Sequence, residues 1–515
     1  MARKWWTLAA VLIGVFMLLL DITVVNVALP QIQKSLGASF TDLQWVIDAY
    51  ALTLAALLLV SGSVADAIGR RKIFIVGLIL FSAASFACGL AQSPLWLILS
   101  RAVQGIGGAM LFATSLALIA QAFQGRERAT AFGIWGATIG AAVAIGPLVG
   151  GALTDALGWE WIFFVNVPIG IAAVFVTFAK VDESQDPHPA GIDWAGAVTF
   201  SAALFMLVFA LIRGNDEGWG STAIVLLLAG FVVALALFIV IELRTQNPMF
   251  ELSLFRNPTF VGASIVAFAL SASMFALFLY ITLYIENVLG FKPLEAGVRF
   301  LPITAISFFA APLSGRLQSR GVPVKVFLSG GLVLVGGGLL LMHGVQTSSK
   351  WTALLGGFCV AGAGIGTVNP ALATAAVGVV AQARAGMASG INSTFRQIGI
   401  ATGIAGFGAI FQHQIQQKVM AGLAGTPGAA HAHDIAHGVA SGGIGQVLQA
   451  VPPQARQTVA RVARSAFVDG LNELFLVAAI VALAGALLAA VLVRQRDFVQ
   501  AGAGPGQVEA SPAAA

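Results

Sequence analysis

Apolar runs of about 18 residues or more recur fourteen times along this chain, and they constrain its fold more than any other feature. Each is long enough to cross a hydrocarbon core of about 30 Å. At that depth no water can pair the backbone N–H and C=O groups, so a spanning segment must be a helix or a strand of a closed barrel. Barrel strands are alternating segments of about 10 residues, which these are not. Composition agrees: 515 residues that are 58% hydrophobic and 10% charged lack the polar surface of a soluble protein. The expected fold class is therefore an all-α polytopic membrane protein.

The predicted spans are 7–29, 44–65, 73–91, 95–122, 130–155, 161–179, 194–212, 222–241, 259–288, 296–313, 324–343, 352–377, 391–412 and 470–493. The first is too long for a signal peptide and many spans follow it. With the N-terminus in the cytoplasm, seventeen of the 27 Lys and Arg residues fall on inner loops and ends, Arg384 and Arg396 among them, and nine fall outside. That bias predicts both termini in the cytoplasm. The net charge of +5 then encodes topology and gives no reason to expect nucleic acid. Cys88 and Cys359 lie in apolar runs and read as core residues.

Two loops look like copies of each other: GSVADAIGRRK at 62–72 after the second span and GRLQSRGVPVK at 315–325 after the tenth. Internal repeats of this kind point to a transporter. The economical division is a six-helix bundle at 1–180, two inserted helices with linkers at 181–258, a second six-helix bundle at 259–494, and a disordered tail at 495–515. The second bundle carries a long outer loop at 413–469. Its Ala/Gly-rich middle is expected to be mobile, and its end, ARQTVARVARSAF, to form an amphipathic surface helix with Val459, Val462 and Ala466 on one side and Arg456, Arg461 and Arg464 on the other.

Charge inside the spans is costly, so its presence needs a reason. Asp21 lies nine residues before Pro30, or roughly 13 Å, and Arg101 lies seven after Pro94, or roughly 10 Å. The opposite charges share a depth and are expected to pair, either to orient helices or to let Asp21 gain and lose a proton. A neighbouring cation favours the charged form, and burial the neutral one. Asn26 and Gln104 add polar groups nearby, while Gly105 and Gly108 allow close approach. Asp48 and Glu286 lie nearer the outer ends of their spans, where a solvated position competes with a role in proton coupling. Pairing with Lys292 or Arg299 is a further alternative for Glu286. The fifth span carries Ala142, Gly146 and Gly150 at four-residue spacing, with Pro147 between. Asp66, beside Arg70 and Arg71, is expected to tie inner helix ends together as a gate. Met274, Phe275 and Phe278, with Asn26 and Gln104, are candidates for the substrate cavity.

Enzyme signatures fail. GAGIGT at 362–367 sits in a span with no preceding strand, and HExxH, GxSxG and the Walker lysine motif are absent from the sequence. His431, His433 and His437 fall in a low-complexity loop, so no metal or cofactor is expected.

LDITVVNVALP (20–30), GSVADAIGRRK, RAVQGIGGA (101–109), GPLVGG (146–151) and WEWIFFVNVPIG (159–170) resemble the successive signatures of the major facilitator superfamily. The fourteen spans and GIDWAG (191–196) resemble its fourteen-helix drug:proton antiporter branch. The resemblance implies two six-helix bundles plus two inserted helices, and export of a small hydrophobic compound across the cell membrane in exchange for protons, by a monomer in the lipid bilayer. It assigns an antiporter motif to Gly146, Pro147, Gly150 and Gly151, a gating motif to Gly62, Asp66, Gly69, Arg70 and Arg71, and proton coupling to Arg101 with Asp21. A specific metabolite or antibiotic exporter, or an importer, on the same fold is the alternative. The sequence departs from the pattern at Ala142, where glycine is usual, and at Glu160, where a basic residue is. Ser319 replaces the acid of the second loop copy, and Glu286 stands where a neutral amide is expected, which would favour cationic substrates.

Overall fold

Among the described residues the apolar runs fold as fourteen long helices. The computed structural model describes residues 3–123, 125–185, 191, 193–246, 248, 250–380, 385–426, 429–440, 447–448, 451 and 454–498. The helices are α1 Arg3–Leu36, α2 Phe40–Ile68, α3 Arg70–Gly89, α4 Pro94–Ala122 and α5 Gly125–Ala156. They continue with α6 Trp161–Lys180, α7 Trp194–Glu217, α8 Thr222–Arg244, α9 Pro258–Val288 and α10 Pro293–Ser319. The last four are α11 Val324–Met342, α12 Leu355–Gly378, α13 Ala385–Leu423 and α14 Arg456–Leu492. Among the described residues, twelve are long and apolar enough to cross a membrane. Helices α5 and α13, of 32 and 39 residues, are also long enough to cross a membrane.

Local chemistry sets the helix ends. Ser39 Oγ accepts from the Asp42 N–H at 3.1 Å and Asp42 returns a bond to the Ser39 N–H at 2.8 Å, a capping box that starts α2. Ser93 and Asn257 cap α4 and α9, each followed by a proline at the first helical position. Pro30 does not end α1, as the sequence suggested. The helix passes through it and stops at Gly37, whose φ of 63° needs a residue without Cβ.

The first and last described residues, Arg3 and Phe498, lie on one face of the molecule, the terminal face. Arg3 pairs there with Asp182 just after α6, and Thr259 at the start of α9 donates to Asp497 after α14. The far face lies at the opposite ends of the helices. The tail predicted as disordered is ordered through Phe498, which lies against Gly378. Residues 499–515 lie outside the described part.

The two halves meet along two seams. On one, α5 packs on α10: a Cβ at Gly151 would lie 2.9 Å from Leu294 Cα, and Gly297 faces the Pro147 carbonyl. On the other, α2 packs on α13, where Gln44 donates to the Ile404 carbonyl at 3.1 Å and Gly390 lies against Leu59. The inserted pair covers this second seam. Trp45 of α2 stacks near Phe205 and Phe209 of α7, and Asn215 of α7 donates to the Ala409 carbonyl of α13. Two buried acids fasten the pair on the terminal face: Asp193 accepts from the Gly196 N–H at 2.7 Å and Glu242 from the Phe250 N–H at 3.1 Å.

The long loop departs from expectation. Helices α13 and α14 run 39 and 37 residues, more than 50 Å at about 1.5 Å per residue, and so project past the bilayer on the far face. Arg456–Ala466 is therefore the first part of α14 and not a separate surface helix. Val459 and Ala466 are buried against α13 and a short helix, Ala432–Ala440, that overlaps only the last three residues of the Ala/Gly-rich stretch 421–434 expected to be mobile. Lys418 and Asp469 pair across the two long helices at 3.2 Å.

Candidate functional site

Asp21 is wholly buried, and three side chains donate to its carboxylate. Arg101 Nη1 reaches Oδ2 at 2.5 Å, Gln104 Nε2 reaches Oδ1 at 2.9 Å, and Asn166 Nδ2 reaches Oδ1 at 3.0 Å. The donors come from α4 and α6, so the carboxylate binds α1 to both. Arg101 also donates to the Gln104 Oε1 and, from Nε, to the Val46 carbonyl of α2. Its guanidinium lies 4.3 Å from the centre of the Tyr50 ring. Asn166 in turn donates to Ser85 of α3, whose hydroxyl donates to the Phe163 carbonyl. A buried ion pair is tolerated when further hydrogen bonds support it, and here Gln104, Asn166 and the Val46 carbonyl supply them.

The glycine stripe of α5 lies against the same stretch of α1. Gly146 faces Thr23, and a Cβ at Gly150 would lie 2.9 Å from Val24 Cα. Gly151 and the Pro147 carbonyl face α10 instead. Helix α5 thus touches the Asp21 segment on one side and the second half of the protein on the other. Gly105 and Gly108 hold α4 against α2 at Tyr50.

Asn26 does not join the Asp21 cluster. Five residues along a helix turn it by about 140°, and its amide donates back to the Ile22 carbonyl. Asn166 and Ser85, absent from the sequence expectations, take its place. The signal for Asn166 was available: a lone amide in the apolar run of WEWIFFVNVPIG.

Asp48 is not at a solvated mouth. It is fully buried where α2 meets the second half, neither carboxylate oxygen has a hydrogen-bond partner, and Tyr280 of α9 is within its electrostatic reach. Glu286 is half-buried, with Oε1 unpartnered. Its charged neighbours are Lys34 of α1 and Asp155 of α5, across the boundary between halves. Lys292 and Arg299 are not its partners: Arg299 lies over the Phe291 ring at 3.3 Å and donates to the Glu295 carbonyl. Of the candidate wall residues, Met274 and Phe278 are packed, Phe278 5.5 Å from the Phe300 ring of α10, and Phe275 is half-buried. Two π-helical stretches, Ser271–Phe275 and Tyr284–Val288, interrupt α9 at these positions.

At the terminal face Asp66 pairs with Arg70 one turn away, at 2.8 Å, so the contact is local to the α2–α3 turn. The residue that ties helix ends together is Glu183, beyond α6. It accepts from the Arg71 N–H at 2.9 Å, and the Arg70 N–H donates to the Ser184 carbonyl at 2.8 Å. Gly69, at φ 130°, passes so close that a Cβ would meet the Glu183 carboxylate. Gly62 faces open space. The side chains of Ser319 and His437 lie outside the described residues. Among the described residues no group of three or more His, Cys, Asp or Glu converges as a metal site. A surface cavity of about 380 Å³ opens on the terminal face, lined by Gly315, Gln318, Pro370, Thr374 and Gln495 among others, none of them part of the Asp21 cluster.

The family model described as Major Facilitator Superfamily matches residues 11–404. The chain belongs to the major facilitator superfamily. Its relatives within that superfamily include "Multidrug resistance protein Stp" of Mycobacterium tuberculosis, 37% identical over 406 residues that cover 78% of this chain and 75% of the relative. They also include the "Tetracenomycin C resistance and export protein" of Streptomyces glaucescens, 33% identical over 506 residues, 95% of this chain and 91% of the relative. Among solved structures, an inward-facing bacterial homologue of the human lysosomal transporter Spinster matches the fold with a TM-score of 0.62 at 19% identity, over 96% of this chain and 98% of that one. As a major facilitator protein this chain is a multi-pass membrane transporter of small molecules and not an enzyme.

Proposed function

We propose that this protein exports hydrophobic drugs or antibiotics from the cell in exchange for protons, with Asp21 as the principal proton-coupling group. The observation that supports this is the Asp21 carboxylate, buried and held by Arg101, Gln104 and Asn166 from two other helices. Neutralising that carboxylate weakens all three bonds together, so one proton loosens α1 from α4 and α6. The glycine contacts of α5 with Thr23 and Val24 carry any shift of α1 to α10 and the second half. A proton entering the cytoplasm gains about 2.3 kcal/mol per 100 mV of membrane potential, plus the pH term. Asp48 and Glu286, on the boundary between halves, are the further titratable groups of this reading. The names of the relatives, resistance and export proteins, support the direction of transport.

The same proposal takes 1–180, 181–258, 259–494 and 495–515 as the functional divisions, places both termini in the cytoplasm, and has the monomer work without a bound cofactor. It is tested in proteoliposomes with an imposed pH gradient and ethidium as the probe. Gradient-driven uptake by wild-type vesicles, abolished by a protonophore and absent in Asp21→Asn, is expected. Equal uptake by wild type and Asp21→Asn would refute the coupling role.

A further inference from the structure

The second half carries an intramembrane arginine that its sequence position disguises. The apolar run that follows it suggests that Arg396 belongs with the inner helix ends, but α13 begins at Ala385 and brings it well inside. Its depth follows from its neighbours. Asn392 donates to the Ala263 carbonyl of α9, and Gly399 packs on Phe268 and Ser271 of the same helix. Arg396 thus sits level with about the ninth residue of α9, roughly 12 Å from that helix's first residue.

Its direction follows from the same contacts. Gly408 and Gly390 face α2, Gly399 and Gly403 face α9, and the Ala409 carbonyl faces α7. At about 100° per residue, Arg396 lies about 40° from the α9 line, 120° from the α2 line and 140° from the α7 line. It therefore points into the sector between α2 and α9, away from the inserted helices, which is the space between the two halves. The residue is half-buried there. Among the described residues it makes no hydrogen bond and no ion pair.

An unpaired guanidinium at this depth has no structural use. Arginines within membranes are paired, as Arg101 is, or mark a substrate path. The guanidinium is permanently charged, is weakly hydrated and matches an anionic oxygen with two parallel donors. We propose that Arg396 is a substrate-binding residue that takes the carboxylate or phenolate oxygen of a hydrophobic organic anion. Resting on the export reading, this names a substrate class for it. It stands beside the expectation drawn from Glu286, adding compounds with an acidic group to the cationic ones.

The test measures binding without a gradient, so it stands or falls apart from proton coupling. The full chain is placed in phosphatidylcholine nanodiscs, and 1-pyrenebutyrate and 1-pyrenebutanol, which share a ring system and differ in charge, are titrated by fluorescence. Wild type is expected to bind the carboxylate more tightly than the alcohol. Arg396→Gln should weaken 1-pyrenebutyrate by about tenfold or more and change 1-pyrenebutanol less than twofold. Arg396→Lys should keep most of the preference. No preference in wild type, no change in Arg396→Gln, or parallel loss of both probes would overturn the proposal; parallel loss would make Arg396 a packing or switching residue. Should Arg396→Gln fail to insert, the wild-type preference and the Arg396→Lys variant decide. Equal suppression of both probes by added phosphatidylglycerol would point to a lipid headgroup and overturn it too.

Discussion

In the first half Arg101 gives its guanidinium to Asp21, to Gln104 and to the Val46 carbonyl; in the second, Arg396 gives its to none of the described residues. Acids repeat the contrast. Asp21 has three donors, whereas Asp48, buried where the halves meet, has none. Burying a charge costs several kcal/mol unless partners repay it. The paired groups therefore hold the first bundle together, and the unpaired ones are a standing cost that the fold tolerates along the boundary between halves. Stability and transport should separate on this line: paired charges support both, and unpaired ones support transport at a cost in stability.

The largest effect expected is at Asp21. Asp21→Ala strands Arg101 in the bundle and should cost about 3–5 kcal/mol, read as a fall in the thermal unfolding midpoint of the detergent-purified protein. A midpoint unchanged from wild type would mean that the pair holds nothing together. Asp48 should answer in the opposite sense. Asp48→Leu removes a carboxylate with no partner and should raise stability by about 1–3 kcal/mol while impairing proton-coupled uptake. A loss of stability there would show a partner for Asp48 in the folded protein and would erase the contrast.

How much of this was legible in sequence depends on whether the signal was local. The Asp21–Arg101 pair was, because lone opposite charges in apolar spans pair, although Pro30 lies inside α1 and does not mark its end, and Gln104 follows from three-residue spacing. Asn26 misled because closeness along the chain is not closeness around a helix. Arg396 misled because α13 begins earlier than its apolar run. Met274 and Phe278 could not be assigned to a wall, since α9 is apolar all round and buried over most of its length. Glu183 lies in a linker whose docking against the α2–α3 turn no periodicity encodes. The fourteen helices themselves were legible because lipid leaves the backbone almost no alternative.

That turn supplies a smaller effect. Glu183→Gln should cost about 0.5–1 kcal/mol, because the pair with Arg71 is partly solvated, though the carboxylate also accepts from the Arg71 backbone. Asp66→Asn should cost less, as a single one-turn ion pair is worth about 0.3–0.5 kcal/mol. If Asp66→Asn proves the more damaging in thermal unfolding, the helix ends are tied through Asp66 and the assignment to Glu183 is wrong.

The smallest effect is expected at Gly62, and it asks whether the motif glycines serve this conformation at all. Gly69 cannot change: its φ of 130° and the Glu183 carboxylate against its Cα leave no room for a side chain. Gly62 sits in the last turns of α2 with nothing within 4 Å of where a Cβ would stand. In a helix interior alanine is favoured over glycine by about 0.5–1 kcal/mol. Gly62→Ala should therefore unfold at the same temperature as wild type or slightly above it. Uptake then separates two readings. Unchanged transport would mean that the glycine is dispensable. Lost transport from a protein of equal or greater stability would mean that α2 must be approached closely at Gly62 in a state other than this one, with the second half closing over the space now open there. The gating motif predicts the second result, and a bulkier Gly62→Leu should deepen it without lowering the unfolding midpoint.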